Sequence, residues 1–359
     1  MFRFFSLILV AIVLLTGCDN SIRHTSTPTA TQRPDLTPTS TLPISTETNS
    51  CGGQYSVQHS NEESHYTPEN TLGGLTFPRI RFLYFDKEWN LWIGYGVRTP
   101  DAQEGGITRF DGETFDFCVI LNHVNCILRD HNGNIWAGTD SQGGSMKSGL
   151  YRFFDKDWIE ITSNLPDNRI FTLMEHDKKM YVGTWNGVGV YDGKNWSTLE
   201  IPGPPNIHAM LFDSQGRKWF GSVKSGIMMQ NSDGSWKTLR APVLAGNGIR
   251  SIVEHPHDQS IWIGAQSIES VGGGVSVLRG DKWVTYGFTN DVIQLAFDSK
   301  NRIWAATHSG TYYLENDRWV KFDSNPSNAI VLANCDCPFN AKVIIGTVGN
   351  GLLVLDVPN

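Results

Sequence analysis

Few residues of this chain have the types and spacing to do chemistry, and they fall into four sets. The six cysteines, Cys18, Cys51, Cys118, Cys126, Cys335 and Cys337, supply thiols that can be acylated, oxidised in pairs or bound to a metal. His308 with Glu269 is the one constellation in which a candidate general base has an acid to orient it. His255-Pro256-His257-Asp258 and Cys335-Asp336-Cys337 hold metal-type side chains. A metal centre needs three or four converging ligands; the first stretch reads as a turn, the second lacks a partner pair, and no metal or other cofactor is expected. The last set is polar and aromatic: Arg98, Asp101, Glu104, Asp140, Gln142, Lys147, Trp185, Asn186, Lys224, Gln266, Glu269, His308 and Asn350. Such a mixture suits holding a ligand, and the Trp185 ring could stack on a sugar or an aromatic group. No His-Glu-x-x-His, no glycine-rich phosphate loop and no nucleophile elbow occurs, so no catalytic residue is assigned.

What positions these residues is a repeat. The phrase Ile261-Trp262-Ile263-Gly264 returns as Leu91-Trp92-Ile93-Gly94, Ile135-Trp136-Ala137-Gly138, Met180-Tyr181-Val182-Gly183, Lys218-Trp219-Phe220-Gly221, Ile303-Trp304-Ala305-Ala306 and Val343-Ile344-Ile345-Gly346. Steps of 44, 45, 38, 43, 42 and 40 residues are those of a repeat array. A β-branched column runs about twelve residues upstream: Ile80, Val124, Ile170, Ile207, Ile249, Val292 and Ile330. Six residues after each stands a turn-forming polar residue: Asp86, Asp130, His176, Asp213, His255, Asp298 and Asp336. A downstream glycine opens a third strand, and an aromatic marks a fourth in six of the repeats.

Four short strands in roughly forty residues make one propeller blade. The fold expected is therefore all-β, a seven-bladed β-propeller of four-stranded blades. The aromatic columns are read as packing between blades, and the small residue after each aromatic as suiting the narrow part of a wedge. In such a ring the connections between second and third strands surround the mouth of the central channel, where ligands bind. Those connections carry the polar and aromatic set.

Composition narrows the classes further. With 36 acidic residues against 29 basic, a duplex nucleic-acid partner is not expected. Residues 1–18 read as a signal peptide: Arg3, then an apolar run over residues 4–15 that is too short to span a bilayer. Residues 19–50 are mostly Ser, Thr and Pro, with no aromatic, and read as a disordered tether. Residues 51–359 make the propeller. The seventh repeat ends after its third strand, so its open edge needs a strand from elsewhere. Residues 54–58 are the first choice and His65-Tyr66-Thr67 the alternative. With Cys51 beside that strand and Cys335 and Cys337 in the seventh repeat, a disulfide from Cys51 to Cys337 or Cys335 is expected, and one between Cys118 and Cys126 less strongly. The chain is expected to be a monomer.

Four resemblances add to this reading. Leu15-Thr16-Gly17-Cys18 resembles the lipobox of bacterial lipoproteins, which implies lipidation of Cys18 and anchoring to the bilayer on the extracytoplasmic face. Val124-Asn125-Cys126-Ile127-Leu128-Arg129-Asp130, Gly133-Asn134-Ile135-Trp136-Ala137-Gly138-Thr139 and Gly149-Leu150-Tyr151-Arg152-Phe153 resemble the two-component regulator propeller family. Its propellers usually form the extracytoplasmic sensor of a hybrid histidine kinase. The resemblance implies a non-catalytic module that binds an envelope ligand, a glycan or small molecule, or a partner protein. The repeats are also similar to those of the streptogramin lyases, which would make His308 a general base. Ser232-Asp233-Gly234-Ser235-Trp236 faintly resembles the Asp-box of glycan hydrolases.

Overall fold

The structure, a computed structural model, describes residues 44–56, 64–68, 71, 75–96, 105–118, 123–141, 148–155, 157–161, 164–203, 206–268, 271–286, 291–323, 327–332 and 342–358. The expected signal peptide, Cys18, Arg98, Asp101, Glu104, Gln142, Lys147, Glu269, Cys335 and Cys337 lie outside them.

Among the described residues there is no helix, and the strands form seven four-stranded antiparallel blades. Blade 1 runs outward as Ile80–Phe85, Leu91–Tyr95, Gly106–Phe110 and Thr114–Cys118. The other innermost strands are His123–Arg129, Ile170–His176, Ile207–Phe212, Gly248–Glu254, Val292–Phe297 and Ser327–Leu332. Each touches the next, and the last touches Ile80–Phe85, so the ring is closed. The core lies between blades: second strands such as Leu91–Tyr95 and Ile303–Thr307 are buried at every position, as expected of sheets covered on both faces.

The sequence columns interlock across blades. A Cβ on Gly138 would come within 2.4 Å of Ile170 in the next blade, and one on Gly221 within 2.5 Å of Ile249. The missing side chain of one column is the space filled by the β-branched column of the neighbour. At the far end of the innermost strand each aspartate binds its own turn. Asp298 accepts the N–H groups of Lys300 and Arg302, both at 2.9 Å, through Oδ1, and Trp304 Nε1–H at 2.9 Å through Oδ2. Asp86, Asp130 and Asp213 hold Trp92, Trp136 and Trp219 in the same way. Blade 5 substitutes His255, whose Nδ1 accepts from Asp258 N–H at 3.1 Å, while Ser260 Oγ takes the Trp262 indole at 2.8 Å. The His255–Asp258 stretch is thus a turn.

Three expectations need correction. The strand that closes blade 7 is Ser64–Tyr66, paired with Leu352–Asp356, which is the alternative rather than the first choice. Tyr66 is held edge-on against Phe110 and Phe115 at 5.6 and 5.8 Å, and His65 Nε2 bonds the Asn350 carbonyl at 2.5 Å. Residues 54–56 belong instead to Ile44–Ser56, which pairs with the outer strands of blades 1 and 2 and begins inside the segment read as tether. Its register sets Cys51 opposite Cys118, so Cys51 lies on blade 1 rather than beside the closing strand. Secondly, Cys126 is a free, buried thiol, packed with Trp136 and Ile170 in the core; the Cys118–Cys126 bond is not formed. Thirdly, the seventh member of the β-branched column is Ser327, opposite Thr347, and not Ile330. Its hydroxyl is buried and accepts from Thr307 N–H at 3.2 Å and Thr311 Oγ1–H at 3.0 Å; blade 6 needs a polar partner there.

Candidate functional site

Every innermost strand has a register shift immediately after its column residue, between Ile80 and Phe82, Val124 and Cys126, Ile170 and Thr172, Ile207 and Ala209, Ile249 and Ser251, and Val292 and Gln294. A β-bulge re-aims the extra side chain. In blades 1 to 6 the bulged residues are Arg81, Asn125, Phe171, His208, Arg250 and Ile293, and all six line one cavity of about 180 Å³ in the channel; blade 7 has the same shift between Ser327 and Ala329. They form a collar that the repeat columns do not reveal, because the bulge position differs in residue type from blade to blade.

The collar is cationic and internally braced. Arg81 Nη2 donates to Asn125 Oδ1 at 2.9 Å, and Asn125 Nδ2 donates to the Ile170 carbonyl at 2.8 Å. Arg250 Nη1 lies 3.0 Å from His208 Nδ1. The His208 ring stacks on Phe171, with centroids 3.7 Å apart and planes 16° from parallel. Burial, with Arg250 and Arg79 repelling it, pushes the Arg81 guanidinium down to about 9, so it stays charged at neutral pH. Burial also lowers Arg250, and burial together with both arginines holds His208 well below its ordinary value. Among the described residues, no carboxylate lines the cavity.

Above the collar lies the mouth, built from the connections between second and third strands and the entries to the innermost strands. Asp140, Trp185 and Lys224 come together there through Arg169. Its guanidinium sits 4.5 Å from the centre of the Trp185 ring, Lys224 Nζ is 5.8 Å from the same ring, and Phe171 is 6.1 Å away. Arg169 is fixed by a fork onto Asp167, at 2.9 and 2.7 Å. Asp140 is raised by burial, against the pull of Arg81 and Arg169, and its Oδ1 is buried without a hydrogen bond among the described residues. Threonines tie the short connections: Thr184 and Thr307 donate to the carbonyls of Gly187 and Gly310 at 2.8 and 2.7 Å. These two short connections are therefore held in place.

The other sequence candidates are scattered around the rim. Asn186 and His308 are exposed, Gln266 is half-buried in blade 5, and the Asn350 carbonyl serves the blade 7 closure. No described carboxylate pairs with His308. Ser232–Trp236 spans an exposed turn in which Asp233 Oδ1 accepts from Ser235 N–H at 2.9 Å, a local role. Besides the collar, sequence reasoning missed Arg79 and Arg169, which stand just before innermost strands, and His123, which opens one. Their signal was position: each is within two residues upstream of the β-branched column.

Residues 119–141 match the two component regulator propeller family. No curated protein matches the sequence. Among solved structures, the extracellular domain of BT3049, a candidate hybrid two component system of B. thetaiotaomicron, is 18% identical with a TM-score of 0.64, over 85% of this chain and 42% of that one. That of BT4673, from the same organism, is 14% identical with a TM-score of 0.61, over 87% of this chain and 40% of that one. A catalytically inactive virginiamycin B lyase from Staphylococcus aureus with quinupristin is 14% identical with a TM-score of 0.60, over 87% of this chain and 100% of that one. At these identities the likeness is one of fold, and this chain spans about two fifths of the length of the two extracellular domains. The chain is a seven-bladed β-propeller that carries the two-component regulator propeller repeat.

Proposed function

We propose that this chain is a non-catalytic, extracytoplasmic binding module, anchored to the membrane through lipidated Cys18 and acting as a monomer. Like the sensor part of two-component regulators, it would present a rigid ring to an envelope ligand, a glycan or small molecule, or to a partner protein. The observation that carries the reading is the cavity: a braced channel collar with open donors, directly beneath a mouth where Trp185, Lys224 and Asp140 converge. A fixed constellation of donors and a ring suits recognition. The structural likeness to extracellular domains of bacterial regulators supports the address. The lyase alternative draws on the similarity to virginiamycin B lyase, but the base it needs, His308, is exposed and without a described acid beside it.

A screen of the full chain against envelope glycans and extracellular proteins, read by Trp185-dependent fluorescence and thermal shift, tests the module. A ligand whose signal is lost in Trp185→Ala supports it; reproducible turnover of a substrate would contradict it. For the anchor, Cys18→Ser should move the protein from the membrane to the soluble fraction.

A further inference from the structure

We infer that the channel collar binds an oxyanion group, a carboxylate, sulfate or phosphate carried by a small molecule, between Arg81 of blade 1 and Arg250 of blade 5, with His208 of blade 4 as a third donor. The inference rests on the reading of the ring as a binding module and names the chemistry of its ligand.

Charge is the first argument. Buried charges are normally paired, because desolvation is otherwise too costly. This protein follows that rule at its turns, where Arg302 meets Asp298 at 2.7 Å and Arg217 meets Asp213 at 2.5 Å. In the collar two guanidiniums from different blades share a cavity, repel one another, and find no carboxylate among the described residues of its lining. Asp140 attracts Arg81 from outside that lining, which sets one carboxylate against two guanidiniums. An anion in the cavity would supply what the protein does not.

Donor geometry is the second. A guanidinium carries five N–H groups; Arg81 spends one on Asn125 and Arg250 one on His208. Arginine can only donate, so His208 Nδ1 accepts, and the proton of the neutral ring is on Nε2. That Nε2 is buried with no partner among the described residues, in a ring that lines the cavity. Other buried donors, the Trp158 and Trp196 indoles among them, also have no partner among the described residues, but neither of those rings lines the cavity. His208 Nε2 stands beside two guanidiniums, the groups best matched to oxyanions.

The braces make the third argument. Asn125 is held by the Ile170 carbonyl and His208 by Phe171, so the donors are fixed before any ligand arrives, and fixed by neutral groups that leave the positive charge intact. The cavity of about 180 Å³ exceeds the roughly 150 Å³ that admits a benzene ring, so a small organic acid or an acidic monosaccharide fits.

Isothermal titration of the full chain with sulfate, phosphate and glucuronate, with glucose as the neutral control, tests this and separates the three oxyanion sources. At least one anion should bind and glucose should not reproduce its signal. Arg81→Gln and Arg250→Gln should each weaken that anion at least tenfold, and Asn125→Ala should weaken it by releasing Arg81. In anion-free buffer the arginine variants should unfold no earlier than the unmodified chain, since a like charge has gone; the two substitutions lie in different blades, so either gives the reading if the other does not fold. No binding by any of the anions, or binding that stays within twofold in both variants, would overturn the inference. A ligand from the glycan and protein screen that binds both arginine variants unchanged, with no anion bound, would keep the module and remove the collar site. Anion binding lost in both variants would establish the collar even if that screen found no ligand.

Discussion

The two ends of the innermost strands solve opposite problems with the same repeat. At the turn end, the buried Asp86, Asp130, Asp213 and Asp298 are each saturated by backbone N–H groups and a tryptophan indole. At the channel end, Arg81 and Arg250 keep most of their donors open, and His208 keeps one. The turn end repeats its residue types from blade to blade, as a ring-forming device must. The bulge at the channel end repeats only its backbone and changes its side chain at each step, as a binding surface does. Stability should therefore reside in the aspartates and recognition in the arginines.

That division can be broken or sharpened in order of effect. Asp298→Ala leaves an arginine, an indole and two N–H groups without their acceptor and should cost about 3–5 kcal/mol in urea unfolding, the usual loss when one member of a buried pair is removed. Trp262→Ala, at 4% exposure, should cost a similar ~3–5 kcal/mol as a buried aromatic truncation. Trp185→Ala, half-buried at the mouth, should cost less than about 1.5 kcal/mol; equal losses at the two tryptophans would mean that Trp185 belongs to the ring packing.

An effect between those of the two tryptophans comes from pH. His123 is pushed down to about 2 by burial, with Arg81, Arg79 and Arg250 adding to it, whereas in the unfolded chain it titrates near 6.5. Between those values the unfolded state takes up a proton that the folded state refuses, so this stability is present above about 6.5 and is lost as the pH falls. The loss between pH 7 and pH 5 should be about 2 kcal/mol, and His123→Gln should flatten the profile by that amount. Smallest is a chemical readout. Burial pushes the Cys126 thiol up, so it should resist alkylation in the folded protein and react only on unfolding; rapid labelling of native protein would place it outside the core.

The ring was legible in the sequence because each column does one physical job. Tryptophan binds the turn aspartate, glycine clears space for the next blade, and the β-branched residue fills it. Where a blade abandons the device the reading slipped. Blade 7 has Ile344 in place of the tryptophan, and without that anchor the spacing points to Ile330 where the structure has Ser327. For the closing strand the sequence offers two segments, 54–58 and His65-Tyr66-Thr67, and the choice of Ser64–Tyr66 rests on what Tyr66 and His65 touch, a tertiary fact. Of the site, sequence spacing located the mouth and brought out Asp140, Trp185 and Lys224. It could not find Arg81, His208 or Arg250, because a bulge is a property of strand pairing, and the residue it re-aims looks like any other in the run.

The central claim, that one end of the strands holds the ring and the other holds a ligand, is tested most directly by urea unfolding of the unmodified chain, Asp298→Ala and Arg250→Gln, each with and without the collar anion. The account predicts that Asp298→Ala is destabilised whether or not anion is present. Arg250→Gln should match or exceed the unmodified chain without anion, and should gain none of the stabilisation that the anion gives the unmodified chain. An Arg250→Gln chain as unstable as Asp298→Ala, or one still stabilised fully by the anion, would contradict it.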